Sequence, residues 1–260
     1  MLKTIFWRGS VTSRAYYLGG NSMIGFGNYT KKAEATTIRT LEDYRLVKIN
    51  PQEDAFFDTV LNFKSTNDDI NAFIEAISEV KDAKLVPFYK PIYDPSEDGD
   101  KIVYKKGNKP AIGHSYNWWV KKASEMPSVE GRQWQLATEY QYYAFLVWLI
   151  NQLVKIGKSV EEALHQVVLD SKELGHYYDS ENSTEGGDFE FTGSRGVCGF
   201  YDLANTFKIL QCSNSEAGDF CFWFCGGNYY YYGNNYPLAY LSNRANVDGD
   251  CNNVGMLVLY

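Results

Sequence analysis

Three observations predict an α+β fold for this 260-residue chain. The middle of the sequence carries apolar positions at helical spacing behind residues that cap helices. Residues 1 to about 60 alternate short apolar or aromatic runs with Gly, Asn and Thr, the pattern of strands and turns. The third is a compositional break: from Gly218 to Tyr260 there is no Lys, Glu, Gln, Thr, His or Ile, while Tyr, Asn, Gly and Asp crowd together. Such a tail reads as short strands joined by long loops.

Residues 1 to about 60 are punctuated by turn formers, as in Leu18-Gly-Gly-Asn and Phe26-Gly-Asn, and are expected to be β-rich. Behind Asn67, the residues Ile70, Phe73, Ile74 and Ile77 recur at helical spacing, which predicts a helix over 68–82 with one buried face. The Pro- and charge-rich run Pro91 to Lys109 reads as a loop or hairpin. A second helix is expected over 116–125, stopping before Pro127 because the residue preceding Pro disfavours helical backbone. Its tryptophans, Trp118 and Trp119, serve core packing. Thr138-Glu-Tyr-Gln141 has the form of a capping box, in which Thr138 and Gln141 satisfy each other's orphan backbone donors. That helix should reach about Lys155, before Gly157. Ser159-Val-Glu-Glu162 repeats the box and opens a fourth helix with a stripe of Val160, Ala163, Leu164, Val167 and Val168, ending near Gly175. The polar stretch Asp179 to Gly187 is expected to be a loop leading into the C-terminal strands.

Bulk properties narrow the functional classes. A net charge of −7 and only isolated basic pairs, such as Lys105-Lys106 and Lys121-Lys122, supply no electrostatic footprint for phosphates, so nucleic acid is not an expected partner. The 21 Tyr are many for an enzyme and natural for a protein that recognises surfaces. Met1 to Ser10 is interrupted by Arg8 and lacks the apolar core of a secretory signal. The most apolar segment, Tyr142 to Val154, is broken by Asn151 and Gln152 and falls short of the roughly 20 residues that span a bilayer. No membrane insertion is expected.

Catalytic and metal chemistry finds little purchase. His114, His165 and His176 are far apart, without metal-ligand spacing, and read as surface or helix-packing residues. Five Cys, an odd number, do not suggest a disulfide framework, and Cys221 and Cys225 lack the tighter or doubled spacing of redox and zinc motifs. Asp188 and Glu190 have no second acid placed opposite them and read as a solvated loop. Gly186-Gly187 and Gly226-Gly227 follow no phosphate-cradling pattern. No cofactor and no metal site are expected.

The tail is densest in Cys225-Gly-Gly-Asn-Tyr-Tyr-Tyr-Tyr-Gly-Asn-Asn-Tyr236 and in Ser242-Asn-Arg-Ala-Asn-Val-Asp-Gly-Asp-Cys-Asn-Asn253. Asn codons ending in a pyrimidine, once their adenines are randomised, yield Tyr, Asp, Ser, Gly, Cys and Arg, and never Lys, Glu, Gln, Met or Trp. Binding loops favour the same residues, because Tyr supplies rigid amphipathic contact area while Ser, Gly and Asn supply adaptable hydrogen bonds. Four consecutive Tyr could also form a half-buried or aggregating strand. Gly233-Asn-Asn235 and Asn252-Asn253 interrupt such a strand, which favours an exposed binding face.

The order of several segments resembles a known family. His114-Ser-Tyr-Asn-Trp-Trp-Val-Lys-Lys-Ala followed by Trp134-Gln-Leu-Ala-Thr-Glu-Tyr-Gln-Tyr-Tyr-Ala144 is similar to a helix and an Arg-Leu-Pro-Thr-Glu-x-Glu-Trp-Glu motif in the formylglycine-generating-enzyme type of C-type lectin fold. Leu136, Thr138 and Glu139 match; Gln135, Ala137, Gln141, Tyr142 and Tyr143 depart. Thr192-Gly-Ser-Arg-Gly196 and Phe200-Tyr-Asp-Leu-Ala-Asn205 resemble the family's Gly-Asn loop, and Gly226-Gly-Asn with Asn253-Val-Gly-Met-Leu257 resembles its closing strands. The resemblance covers roughly residues 86 to 260 and implies helices packed on short antiparallel strands. Catalytic members place two copper-binding Cys at positions held here by Tyr231 and Tyr236, so a soft copper site has no thiolates and oxidase activity is not implied.

The binding branch, the variable proteins of diversity-generating retroelements, is the one this chain resembles. It implies a receptor-binding protein of a phage tail tip or a bacterial surface, its variable region at about 219–253. The expected variable face comprises Tyr229, Tyr230, Tyr231, Tyr232, Asn234, Asn235, Tyr236, Tyr240, Ser242, Asn243, Arg244, Asn246, Asp248, Asp250 and Cys251. Trp223, Gly226, Gly227, Pro237, Leu238, Ala239, Leu241, Val254, Gly255 and Leu257 form the expected fixed frame. The partner would be a protein or carbohydrate on a target surface. Residues 1–85, a β-rich region plus helix, would dock onto a phage fibre or form a homo-oligomer. The other readings are a non-diversified structural or adhesin module and a formylglycine-generating-like enzyme of the same fold.

Overall fold

Two four-stranded sheets and a layer of helices are organised around the last strand of the chain. The computed structural model describes residues 41, 44–171, 174, 196–201, 203, 207–211, 222–226, 237–244 and 253–260. These belong to the unit Arg39–Tyr260, and the chain divides between Ile38 and Arg39. The boundary expected at 85/86 therefore moves. Strand β1 (Leu46–Ile49) pairs antiparallel with β2 (Phe88–Pro91), so residues on both sides of position 85 share one sheet.

The first sheet has the order β1-β2-β12-β5, with β5 at Trp134–Leu136 and β12 at Leu257–Leu259. The second has the order β10-β9-β8-β11, with β8 at Phe207–Gln211, β9 at Phe222–Cys225, β10 at Leu241–Arg244 and β11 at Asn253–Gly255. Among the described strands of the two sheets the pairings are antiparallel except β8 with β11. Two short hairpins complete the strands: β3 (Ser96–Asp98) with β4 (Lys101–Val103), and β6 (Gly196–Val197) with β7 (Phe200–Tyr201). The first of these bears out the hairpin expected in Pro91 to Lys109. The α+β class is thus observed.

Helix α2 covers Asp68–Asp82 and α3 covers Tyr116–Glu125, as their periodicity predicts. The Asn67 side chain accepts the Ile70 amide at 3.1 Å, and Ser115 Oγ accepts that of Trp118 at 3.2 Å. Helix α4 spans Glu139–Lys155 behind a complete capping box: the Gln141 amide donates to Thr138 Oγ1 at 3.2 Å, and the Thr138 amide to Gln141 Oε1 at 3.0 Å. In α5 (Val160–Leu164) the box recurs between Ser159 and Glu162, whose carboxyl is held below its usual range by the Ser159 amide and hydroxyl.

Two expectations change. The fourth helix ends at Leu169, short of Gly175, because α5 widens into a π-helical turn at His165–Leu169 and Asp170 is extended. In the stretch expected to be β-rich, a short helix, α1 (Asp58–Leu61), forms where Phe57 and Val60 reach the core together. Residues 1–40, His176 and the loop expected at Asp179 to Gly187 lie outside the described residues. Among the described residues no helix is long and apolar enough to cross a membrane.

Side chains alternate across β12 between two apolar clusters. Met256 and Val258 join α2, α4 and α5 residues such as Phe73, Phe145 and Leu164, while Leu257 and Leu259 join Trp119, Trp134 and Ile209. A strand buried on both faces reads as a continuous apolar run, which is what Val254-Gly-Met-Leu-Val-Leu259 is. Trp119 of α3 lies flat on β11. A Cβ built on Gly255 would stand 2.4 Å from Trp119 Cδ2, so the close approach of helix and strand requires glycine.

Candidate ligand-binding face

The tyrosine-rich segment 227–236 is bounded by two stems that the fold holds in place. Its first stem is β9, which ends at Cys225. Gly226 follows with φ +80°, and a Cβ there would lie 3.1 Å from the Tyr142 hydroxyl and 3.8 Å from Leu238 Cδ2. Both the backbone conformation and the space favour glycine. The second stem is a tight turn over Pro237 to Tyr240, closed by the Tyr240 amide donating to Pro237 O at 2.9 Å. The Gly226 amide donates to Tyr240 O at 3.1 Å and ties the stems together before β10 begins.

Helical residues from far away in sequence grip the turn. The Tyr142 hydroxyl of α4 donates to Leu238 O at 2.7 Å, and the Leu238 amide donates to Ser171 Oγ at 2.6 Å. The Ala239 amide donates to Val167 O at 3.0 Å. Val167 is in the last turn of its helix, where carbonyls lack intrahelical partners, so this bond helps to satisfy one of them. Leu238 itself is only 1% exposed and packs in the core.

Most of the expected variable face, namely Tyr229, Tyr230, Tyr231, Tyr232, Asn234, Asn235, Tyr236, Asn246, Asp248, Asp250 and Cys251, lies outside the described residues. Tyr240 is half-buried beside the turn, and Ser242, Asn243 and Arg244 occupy β10, an edge position among the described strands. The register sets Ser242 opposite Phe224 and Asn243 opposite Trp223. Of the expected frame, Gly226, Leu238, Val254, Gly255 and Leu257 are buried, Pro237, Ala239, Leu241 and Trp223 are half-buried, and Gly227 lies outside the described residues.

Sequence reasoning missed a buried charged group beneath these stems. Lys208 of β8 pairs with Asp94 through Nζ and Oδ2, both side chains almost fully buried. Lys90 of β2 donates to Pro91 O at 3.1 Å, and its ammonium lies 4.9 Å and 4.8 Å from the ring centres of Phe145 and Phe200. A narrow cleft borders the group, lined by Tyr142, Tyr201, Leu238 and Met256 as well as the three charged side chains. Its enclosed part holds no more than about one water molecule, too little for a substrate. The only local sign was a Lys inside each of two apolar strands, Phe88-Tyr-Lys-Pro91 and Phe207-Lys-Ile-Leu210.

Other candidate chemistry resolves into packing. Cys225 is fully buried, its thiol donates to Lys208 O at 3.5 Å, and burial pushes its pKa well up, away from a reactive thiolate. His114 stacks on Trp118 with ring centres 3.6 Å apart, and its Nε2 lies 3.1 Å from Glu97 Oε1. Burial raises the pKa of Tyr143, beside Cys225 and Glu139, to about 12. Among the described residues no three His, Cys, Asp or Glu side chains converge as a metal site would require.

No family model matches the chain, and no curated protein matches it. Among solved structures, the crystal structure of CarF is similar over 67% of this chain and 86% of that one, with 13% identity and a TM-score of 0.43. At that level the likeness settles neither fold nor function.

Proposed function

We propose that this chain is a ligand-binding protein of the C-type lectin type, its C-terminal surface diversified by a retroelement and displayed on a phage tail tip or a cell surface. One observation carries the reading. Of the nine described frame positions flanking the biased segments, Gly226, Leu238, Val254, Gly255 and Leu257 are buried and the other four half-buried, whereas, of the described positions expected to vary, Tyr240 is half-buried and those of β10 lie at a sheet edge. A surface that must tolerate many sequences needs that division, because a loop's ordering cost, on the order of 1–2 kcal/mol per residue, is lowered when its ends are already fixed. Tyr at the copper-ligand positions, 231 and 236, argues against the oxidase branch of the same fold.

The partner class is a protein or carbohydrate on a target surface, contacted through Tyr, Asn, Ser and Asp. Deep sequencing of the 3′ end of the gene in its source population, with the DNA just downstream, tests the reading. Substitutions confined to adenine positions of a nearby near-repeat are expected. An invariant tail without such a repeat would replace the proposal with a non-diversified structural or adhesin module.

A further inference from the structure

We infer that Ser171 and Tyr142 are positioning residues that set the register of β10 and so hold the pairing of Leu241–Arg244 with Phe222–Cys225. The inference rests on the binding reading for its functional meaning and on geometry for its content. The peptide groups of Leu238 are held from both sides by hydroxyls of buried residues: Ser171 Oγ accepts the amide and Tyr142 Oη donates to the carbonyl. These contacts cross 67 and 96 residues of sequence, so they fix the turn to the helical layer and not to its own strand. Ser171 Oγ also donates to Val167 O at 3.3 Å, the same carbonyl that accepts the Ala239 amide, which joins three elements at one point.

The turn lies immediately before β10, three residues ahead of Leu241, where the ladder with β9 starts at Leu241 opposite Cys225. A slip by one residue would break every pair of this ladder, from Leu241 opposite Cys225 to Arg244 opposite Phe222. Among the described residues β10 is an edge strand paired on one side, so besides its ladder and the Gly226–Tyr240 bond it is the hydroxyl grip on Leu238 that resists such a slip. The π-helical turn contributes by ending α5 at Leu169, which leaves Val167 O available to the turn. Ser171 and Tyr142 thus act on recognition through Leu238 without touching the ligand.

The test compares the whole protein with Ser171→Ala, Tyr142→Phe and the double variant by amide hydrogen exchange, with Ser171→Thr as the hydroxyl-retaining control. Tyr142→Phe removes one oxygen and keeps the ring in the core. Exchange at residues 238–244 should rise roughly tenfold in each single variant, as loss of one hydrogen bond implies, while α4 and β12 stay protected. Ser171→Thr should restore protection. An equal rise across α4 and β12 would mean a merely structural role and would overturn the inference, as would unchanged exchange at 238–244. The readout needs no ligand, so local loosening would stand even if the tail proved invariant and the binding proposal failed.

Discussion

Two parts of one biased tail behave in opposite ways. Val254 to Leu259 shares the restricted composition that begins at Gly218, yet every one of its residues is buried, and β12 forms the boundary between the two apolar clusters. Tyr240 to Leu241 is half-buried, and β10 lies at a sheet edge. Composition alone does not separate these two; burial does. The lesson is that one and the same lack of Lys and Glu accompanies a core strand, where burying a charge is costly, and a partly exposed edge strand, where it is not.

The sharpest way to break the comparison is to attack the frame beneath the stems. Lys208→Ala removes the ammonium paired with the buried Asp94 and should cost about 3–5 kcal/mol, whereas joint replacement of Lys208 by Met and Asp94 by Leu should recover part of that loss but not all, because the ammonium of Lys90 stays buried in the same group. Chemical denaturation of both variants checks the loss and its recovery. A smaller loss is expected from Gly255→Ala, whose new methyl meets Trp119; about 1–3 kcal/mol of overpacking should lower the melting temperature and perturb Trp fluorescence. An unchanged melting temperature would mean that α3 does not rest on β11.

A pH scan sharpens the same division. Burial raises Tyr143 from the ordinary tyrosine value of 10 to about 12, so the native state keeps a proton that the unfolded chain has given up. The corresponding stability is present below pH 10 and is lost as pH rises from about 10 to 12. Tyr143→Phe should flatten stability in that window relative to the parent chain; an identical slope would show that Tyr143 titrates as an exposed phenol.

How far the fold was legible depends on the range of the interaction. The bounds of α2, α3 and α4 follow from caps within three residues, such as Asn67 with Ile70 and Thr138 with Gln141. The hairpin of β3 and β4 is likewise local. By contrast, Lys208 with Asp94 spans 114 residues, and β12 finds β2 and β5 across most of the domain. No pattern in one sequence specifies such partners. Where the fourth helix ends, at Leu169, the Pro237 to Tyr240 turn docks on Val167, again a contact across distant sequence. At the candidate face the frame was legible from Gly, Pro and apolar residues between polar ones. The hydroxyl grip of Tyr142 and Ser171 was not, because a Tyr in an apolar helix looks like core until its partner is seen.

Thermal unfolding of the triple variant Tyr230→Ala, Tyr231→Ala, Tyr232→Ala tests the central claim, that the tail divides into a frame that stabilises the fold and a proposed face whose residues can change without cost to it. The account predicts a melting temperature close to that of the parent, since surface changes away from core contacts cost within about 0.5 kcal/mol each. A fall as large as that of Gly255→Ala would place these tyrosines in the core and contradict it.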